Sequence, residues 1–490
     1  MAHACRVGAG SPGQALTLVT GMGAIDKNLS RISKLLIDRN QASAEAVLSR
    51  RQAYGVTLCC GDDVASSYTL QLAVLTAARI AGRCFPSAVR VALTPTLARA
   101  PLLIWPWLHQ TFGEALIEIL GPAALTESGA PPTLHALLFG NAPLRNEALR
   151  VTFDGWVAKV GPAREVPRLP EREYFPVAGL LAASLALSEL FLSFAGISLD
   201  ATRRTVELSL WQPDLEIGDQ QALGIPVEYL PGALWVLGLG HLGNAYLWSL
   251  ATLPYEAPKA VEFALFDFDA VEKDNVETGV ILSADDVDSF KAHACDAWLR
   301  RRKFRTRLVE RRFDATFRVQ DKEPALALCG FDSNPSRRDL PHAQFRRVID
   351  SGLGGMASNF DTISLHTLPN PRTPDELWPD LSEEEKAKLA AYHERVAREN
   401  PGYRRLGGDD CGRRDLAGKS VAVPFVGTSA ASLVVAETVR LLHDGPAYLD
   451  IKLGLGDPGK RLTRRNGDYT ALDAAGLTFV RADQRRIAKK

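Results

Sequence analysis

Two stretches far apart in this chain spell nearly the same helix. Pro176-Val-Ala-Gly179-Leu-Leu-Ala-Ala-Ser-Leu185-Ala-Leu-Ser-Glu189 aligns with Pro424-Phe-Val-Gly427-Thr-Ser-Ala-Ala-Ser-Leu433-Val-Val-Ala-Glu437, with the proline, the glycine, Ala-Ala-Ser-Leu and the glutamate in register. Seven identities in fourteen positions of mixed residue type exceed chance, so the chain carries an internal duplication. Each copy is rich in small residues and apolar nearly all round, the pattern of a helix buried close against a sheet. The leading proline suits a helix start. A chain of 490 residues is long enough for two such domains.

A second parallel lies upstream of each copy. Ala233-Leu-Trp-Val-Leu-Gly238-Leu-Gly240-His-Leu-Gly243 reads as a short apolar strand running into a glycine-rich turn, with a helix predicted over Asn244–Leu253. Tyr54–Asp63 reads as a strand, followed by a helix over Ser66–Ala81 and a strand over Ala88–Leu93. The second copy has three glycines at its turn and the first has Gly61 followed by Asp62 and Asp63, two carboxylates that would repel a phosphate. The expected fold is therefore α/β, two Rossmann-like domains in tandem with the N-terminal one degenerate. The boundaries expected are an unassigned segment 1–44, the degenerate domain 45–213, a linker 214–232, the complete domain 233–450 with an insertion at 371–415, and a short basic tail 451–490. Gly161–Glu173, with three prolines, reads as a surface loop.

Lys plus Arg equals Asp plus Glu at 57 each, which argues against a nucleic-acid binder. The basic runs Arg300–Lys303 with Arg305, and Arg485-Arg486 with Lys489-Lys490, read as solvated faces. Seven cysteines with no Cys-x-x-Cys pair fit neither a four-cysteine zinc site nor a disulfide scaffold. No signal pattern is present, and the most apolar stretch, Val177–Phe194, is broken by Ser184, Ser188, Glu189 and Ser193, so no membrane span is expected. The expected location is the cytoplasm.

The turn Gly238-Leu-Gly240-His-Leu-Gly243 matches G-x-G-x-x-G between a strand and a helix, where glycines let the backbone approach phosphates and the helix N-terminus favours negative charge. The next strand, Val261–Phe266, ends in Asp267-Phe-Asp269-Ala-Val271-Glu-Lys-Asp-Asn275. An acidic residue there suits ribose hydroxyls of ATP or NAD alike.

The Asp-x-Asp-x-Val-x-x-x-Asn run resembles the ATP site of the ubiquitin-activating and sulfur-carrier-activating superfamily, which adenylates the C-terminal glycine of a ubiquitin-like protein. Further segments resemble it in order: the acidic stretch ending in Lys291-Ala292; Leu326–Cys329 followed by Asp332-Ser333 and Arg337; Asp350-Ser-Gly352; and Pro424–Glu437. The resemblance covers about residues 230–442 and makes the expected domains adenylation-type. It implies phosphate contacts from Lys291, ribose contacts from Asp269 with Asp267 beside it, and a polar contact from Asn275. It also implies magnesium held at Asp332, with Ser333 adjoining, and a catalytic thioester at Cys411 in the polar loop Asp409–Arg414. The cofactors implied are ATP and Mg2+. The partners implied are a ubiquitin-like carrier and a conjugating enzyme, with Pro371–Tyr403 as a docking surface. Bacterial counterparts work in conjugation pathways, some of which serve antiphage defence.

One departure stands out. The superfamily has Arg-Gln where this chain has Thr278-Gly279, and Arg50 or Arg51 of the first half is the expected substitute. Cys295 and Cys329 read as core residues. Two further readings remain open at this level: a sulfur-carrier or peptide adenylating enzyme without a thioester step, and an inactive scaffold that binds a ubiquitin-like protein. An NAD-dependent oxidoreductase fits poorly with Lys291, Asp332 and the duplication.

Overall fold

A computed structural model of the chain describes residues 30–40, 42–85, 88–104, 110–127, 135–216, 218–404, 410–466 and 476–488. Residues 1–29, Cys5 among them, and Asp409, Lys489 and Lys490 lie outside these.

The protein is mixed α/β, built on two sheets with parallel cores. The strands of the first are β1 (Gly55–Cys60), β2 (Ala88–Leu93), β3 (Leu125–Glu127), β4 (Ala136–Phe139), β5 (Ala148–Asp154), β6 (Val157–Pro162) and β7 (Val206–Ser209), in the order β3-β2-β1-β4-β5-β6-β7. After the short β8 (Tyr229–Pro231), the second sheet uses β9 (Ala233–Leu237), β10 (Glu262–Phe266), β11 (Arg305–Val309), β12 (Leu326–Cys329), β13 (Arg347–Leu353), β14 (Thr362–Leu368), β15 (Ala447–Gly454) and β16 (Arg461–Asn466), ordered β11-β10-β9-β12-β13-β14-β15-β16. In both, the first five strands in that order run parallel and the remainder pair antiparallel. The central β1 is buried along its whole length, which explains an apolar run without alternation.

The two repeat helices, Val177–Phe194 and Pro424–Leu441, sit between the sheets. Each packs on the α-helix that follows the first sheet strand of its own half, Tyr68–Cys84 or His241–Ala251, and they pack on each other. The shared glycine is the point of close approach in both. A Cβ on Gly179 would stand 2.6 Å from Thr69 Cγ2, and one on Gly427 2.1 Å from His241 Nε2. Ser184 Oγ meets Thr428 Oγ1 at 2.7 Å, Tyr68 donates to the Thr252 carbonyl at 2.8 Å, and Trp248 Nε1 donates to Thr76 at 3.1 Å. Both halves thus share one hydrophobic core. The Val177–Phe194 helix is long and apolar enough to cross a membrane, but 89% of it is buried inside the protein, as a core helix is.

Three boundaries differ from expectation. The glycine-turn helix starts at His241, because Gly243 lies inside its first turn. The expected linker 214–232 holds the short helix Gln220–Leu223 and β8, which pairs with β17 (Leu477–Phe479). The expected tail 451–490 begins inside β15 and includes β16: its Arg461-Leu-Thr-Arg-Arg sequence is an edge strand, where charged side chains are tolerated. The unassigned N-terminal segment contributes a helix, Arg31–Asn40, whose Ile32, Leu35, Leu36 and Ile37 are buried.

Candidate functional site

The site lies at the C-terminal ends of β9, β10 and β12. Gly238 has φ +79°, a left-handed conformation that favours glycine, and a Cβ on Gly243 would stand 2.0 Å from the Gly238 carbonyl oxygen. Around Gly240 a Cβ would meet nothing within 4 Å, so the turn is open where a ligand's phosphates would approach. His241, at the first helical position, packs over Gly427 with both ring nitrogens buried and without hydrogen-bond partners. Burial pushes its pKa down to about 4, so the imidazole is neutral at pH 7.

The two carboxylates after β10 divide their work. Asp267 is buried and both its oxygens accept backbone hydrogens, Oδ2 from Leu239 at 2.6 Å and Oδ1 from Asp269 at 2.8 Å. It shapes the turn. Burial pushes its pKa up, and the nearby Lys291 charge opposes that shift. Asp269 stands out from the surface and holds Lys291 Nζ at 3.0 Å. Lys291 opens the helix Lys291–Arg301, where the helix dipole disfavours a cation. The pairing with Asp269 keeps it there, only 11% exposed.

Asn275 lies in the helix Lys273–Thr278, with its Oδ1 accepting from the Glu272 N–H at 2.8 Å. Asp332 is exposed just beyond β12, and Ser333 caps the helix Asn334–Arg338. No group of three or more His, Cys, Asp or Glu side chains forms a metal cage among the described residues. An exposed carboxylate such as Asp332 suits magnesium, an ion held by one or two carboxylates together with water and phosphates. Arg337 and Asp350 play a different part: they pair at 3.2 Å, and Arg337 also donates to the Phe331 and Ser351 carbonyls, stapling the ends of β12 and β13.

The first half closes the equivalent place with its own side chains. Asp63 accepts from the Asn141 N–H at 2.9 Å and pairs with Arg168, and Asp62 accepts from Thr94 at 2.6 Å. A Cβ on Gly140 would stand 2.2 Å from Asp63 Oδ1.

Of Arg50 and Arg51, the expected substitutes at Thr278, only Arg51 reaches the helix that ends there. Arg50 donates to the Phe194 carbonyl, and Arg51 pairs with Glu277 at 2.8 Å. A second arginine reaches the same helix, one that sequence reasoning missed: Arg31. Its Nε holds Asp274, the neighbour of Asn275, at 2.9 Å, and its Nη1 donates to the Ser420 carbonyl at 2.6 Å. Only the packing of the N-terminal helix against Lys273–Thr278 reveals it.

Cys411, described by its backbone only, lies in the first turn of a helix, Asp410–Gly418, and not in a loop. That helix packs on Glu383–Glu399, with Arg414 3.3 Å from Glu394. Cys295 and Cys329 are fully buried, and burial pushes both thiols up, as inert core residues require.

A family model described as the BilD C-terminal domain matches residues 230–445, and one described as the BilD N-terminal domain matches residues 55–210. The bacterial E1-like protein BilD of Collimonas sp. (strain OK412) is 34% identical over 431 residues, covering 86% of this chain and 90% of that protein. Among solved structures, E. coli MccB superposes with a TM-score of 0.34 at 14% identity, over 65% of this chain and 75% of its own. E. coli TcdA, a tRNA N6-threonylcarbamoyladenosine dehydratase, does so with 0.28 at 15% identity, over 43% and 85%. These two overlaps are too slight to inform the chemistry.

Proposed function

This chain belongs to the BilD family of bacterial E1-like proteins, and from that premise we propose that it adenylates the C-terminal glycine of a ubiquitin-like carrier and then takes the carrier onto Cys411 as a thioester. The observation that carries the reading is the Lys291–Asp269 pair, set beside an open glycine turn with the exposed Asp332 on the neighbouring strand end. In this reading the turn at Gly238, Gly240 and Gly243 takes the phosphates and Asp269 takes the ribose, while Asp267 holds the turn in shape. Asn275 and Ser333 give polar contacts at the rim. Lys291 leaves Asp269 for the phosphates, and Arg31 supplies the cation that Thr278 cannot.

Magnesium at Asp332 would add positive charge to the phosphates as the bond to pyrophosphate breaks. The carrier's carboxylate attacks the α-phosphorus and pyrophosphate leaves. The Cys411 thiolate then attacks the acyl carbon and AMP leaves, so each step forms one bond and breaks one. Arg413 and Arg414 beside Cys411 would favour its thiolate, and Asp409 and Asp410 would oppose them. The half spanning 45–213 is read as a degenerate adenylation-type partner, its anion site filled by Asp63. The insertion 371–415 is read as the surface that meets the carrier or a conjugating enzyme, in a bacterial conjugation pathway of the kind used in antiphage defence.

The test is ATP–pyrophosphate exchange with the full chain and a small ubiquitin-like protein that ends in glycine. Magnesium- and carrier-dependent exchange supports the reading. Exchange without a thiol-linked adduct points to a sulfur-carrier or peptide adenylating enzyme. Carrier binding without exchange points to a scaffold.

A further inference from the structure

We infer that Asn244 is a positioning residue for the phosphate turn, tying it to the chain that follows Asn275. Asn244 is fully buried, and its amide uses all four of its hydrogen-bonding sites. Nδ2 donates to the Leu239 carbonyl at 2.8 Å and the Gly240 carbonyl at 3.1 Å. Oδ1 accepts from the Ile281 and Leu282 N–H groups, each at 3.3 Å. The two carbonyls belong to the glycine turn. The two amides lie just past Thr278-Gly279, where the superfamily pattern has Arg-Gln.

The glycine at 279 fits this arrangement. A Cβ there would stand 3.0 Å from Asn244 Oδ1 and 2.6 Å from the Asn275 carbonyl oxygen. The Asn244 amide therefore fills the space into which a side chain at 279 would start, and links the turn to the segment after the helix Lys273–Thr278 from inside the core. Asp267 grips the same turn from the opposite side through the Leu239 N–H. With the Leu239 N–H held by one side chain and the Leu239 and Gly240 carbonyls by the other, these peptide planes are set before a ligand arrives. Preset donors of this kind lose no reorganisation energy when negative charge is bound.

This inference rests on the nucleotide reading above, and the two fail differently. Competition against a fluorescent ATP analogue on the full chain gives affinities for both ATP and adenosine. Asn244→Ala should weaken ATP about tenfold and adenosine less than twofold, because only the phosphates use the turn's amides. Asn244→Ser, which keeps one donor, should show the same selectivity at smaller size and serves where the alanine variant does not fold. Equal losses for ATP and adenosine would mean a merely structural residue and overturn the inference, as would unchanged ATP affinity in both variants. An unaltered protein that binds no ATP overturns the nucleotide reading, and this inference with it.

Discussion

Arg51 in the first half of the chain holds Glu277 in the second at 2.8 Å, with the two side chains only 7% and 17% exposed. Arg51 also donates to Ser30, Ser33 and the Arg83 carbonyl, so its guanidinium is committed to bracing the helix that carries Asn275 and Thr278. Removing one partner of such a pair strands a buried charge. Arg51→Ala should cost on the order of 3 kcal/mol, and Arg51→Met with Glu277→Leu should recover most of it. Urea unfolding measures both. A double variant no more stable than Arg51→Ala would assign the loss to the hydrogen bonds from Arg51 to Ser30, Ser33 and the Arg83 carbonyl rather than to the ion pair.

Asp332 is exposed just past the end of β12, which pairs with β9. Asp332→Ala should cut ATP–pyrophosphate exchange roughly a hundredfold, on the order of 3 kcal/mol of transition-state charge stabilisation. The effect should persist at saturating ATP. Unchanged exchange would remove Asp332 from the reaction.

Much of this architecture is legible in the sequence, for reasons that also mark where legibility ends. The repeat helices stand out because a helix clamped between sheets tolerates only small and apolar residues on every face. The glycine turn stands out because Gly238 and Gly243 admit no side chain. The strand β16 does not stand out: half-exposed and arginine-rich, it reads as a tail until β15 supplies its partner. The division between Asp267 and Asp269 is equally invisible, since two carboxylates one residue apart differ only in which one faces the Leu239 N–H. Arg31 lies in a segment without a motif, and its place beside Asn275 is a consequence of tertiary packing alone. The helix at Cys411 escapes notice because Gly412 and its charged neighbours favour a loop locally, and packing on Glu383–Glu399 decides otherwise.

His241 gives the fold a pH dependence of known sign. In the unfolded chain an imidazole titrates near 6.5, and in the folded protein burial brings His241 to about 4. Between those values the unfolded chain binds a proton that the folded protein refuses. Stability is therefore full above pH 6.5 and falls as pH drops toward 4, by about 3 kcal/mol from this group. His241→Leu, without a titrating ring, should flatten the urea-midpoint profile across that window. Parallel profiles for the two proteins would assign the dependence to other groups.

One nucleotide should bind per chain. In the first half Asp63 is held by Arg168 and the Asn141 N–H and lies over Gly140, where a side chain would meet it, and a second carboxylate, Asp62, adjoins it. Calorimetric titration with ATP should give a stoichiometry near one. It should stay near one in Asp332→Ala at whatever affinity remains. Two sites per chain would overturn the assignment of the first half.

The last expectation concerns Cys411. Its helix runs from Asp410 to Gly418, and the chain then passes Ser420, whose carbonyl accepts from Arg31, and Val421, whose N–H donates to the Gly355 carbonyl beyond β13. The chain just after that helix is thus fastened to the N-terminal helix and to the segment beyond β13. Cys411 stands about 10 Å farther along the helix axis, at 1.5 Å per residue. Thiolates attack acyl-adenylates readily because AMP is a good leaving group, so closing that gap, and not activating the sulfur, is the main requirement. Cys411→Ser should keep pyrophosphate exchange within about twofold and lose the reductant-sensitive carrier adduct on a non-reducing gel. Linking the two ends of the gap more stiffly should affect only the second step. Replacing Gly412 with alanine, which favours the helix by about 1 kcal/mol, should therefore slow adduct formation and leave exchange unchanged. An adduct that survives in Cys411→Ser places the nucleophile elsewhere. With Cys59, Cys60, Cys84, Cys295 and Cys329 all buried, the residue left to test is then Cys5.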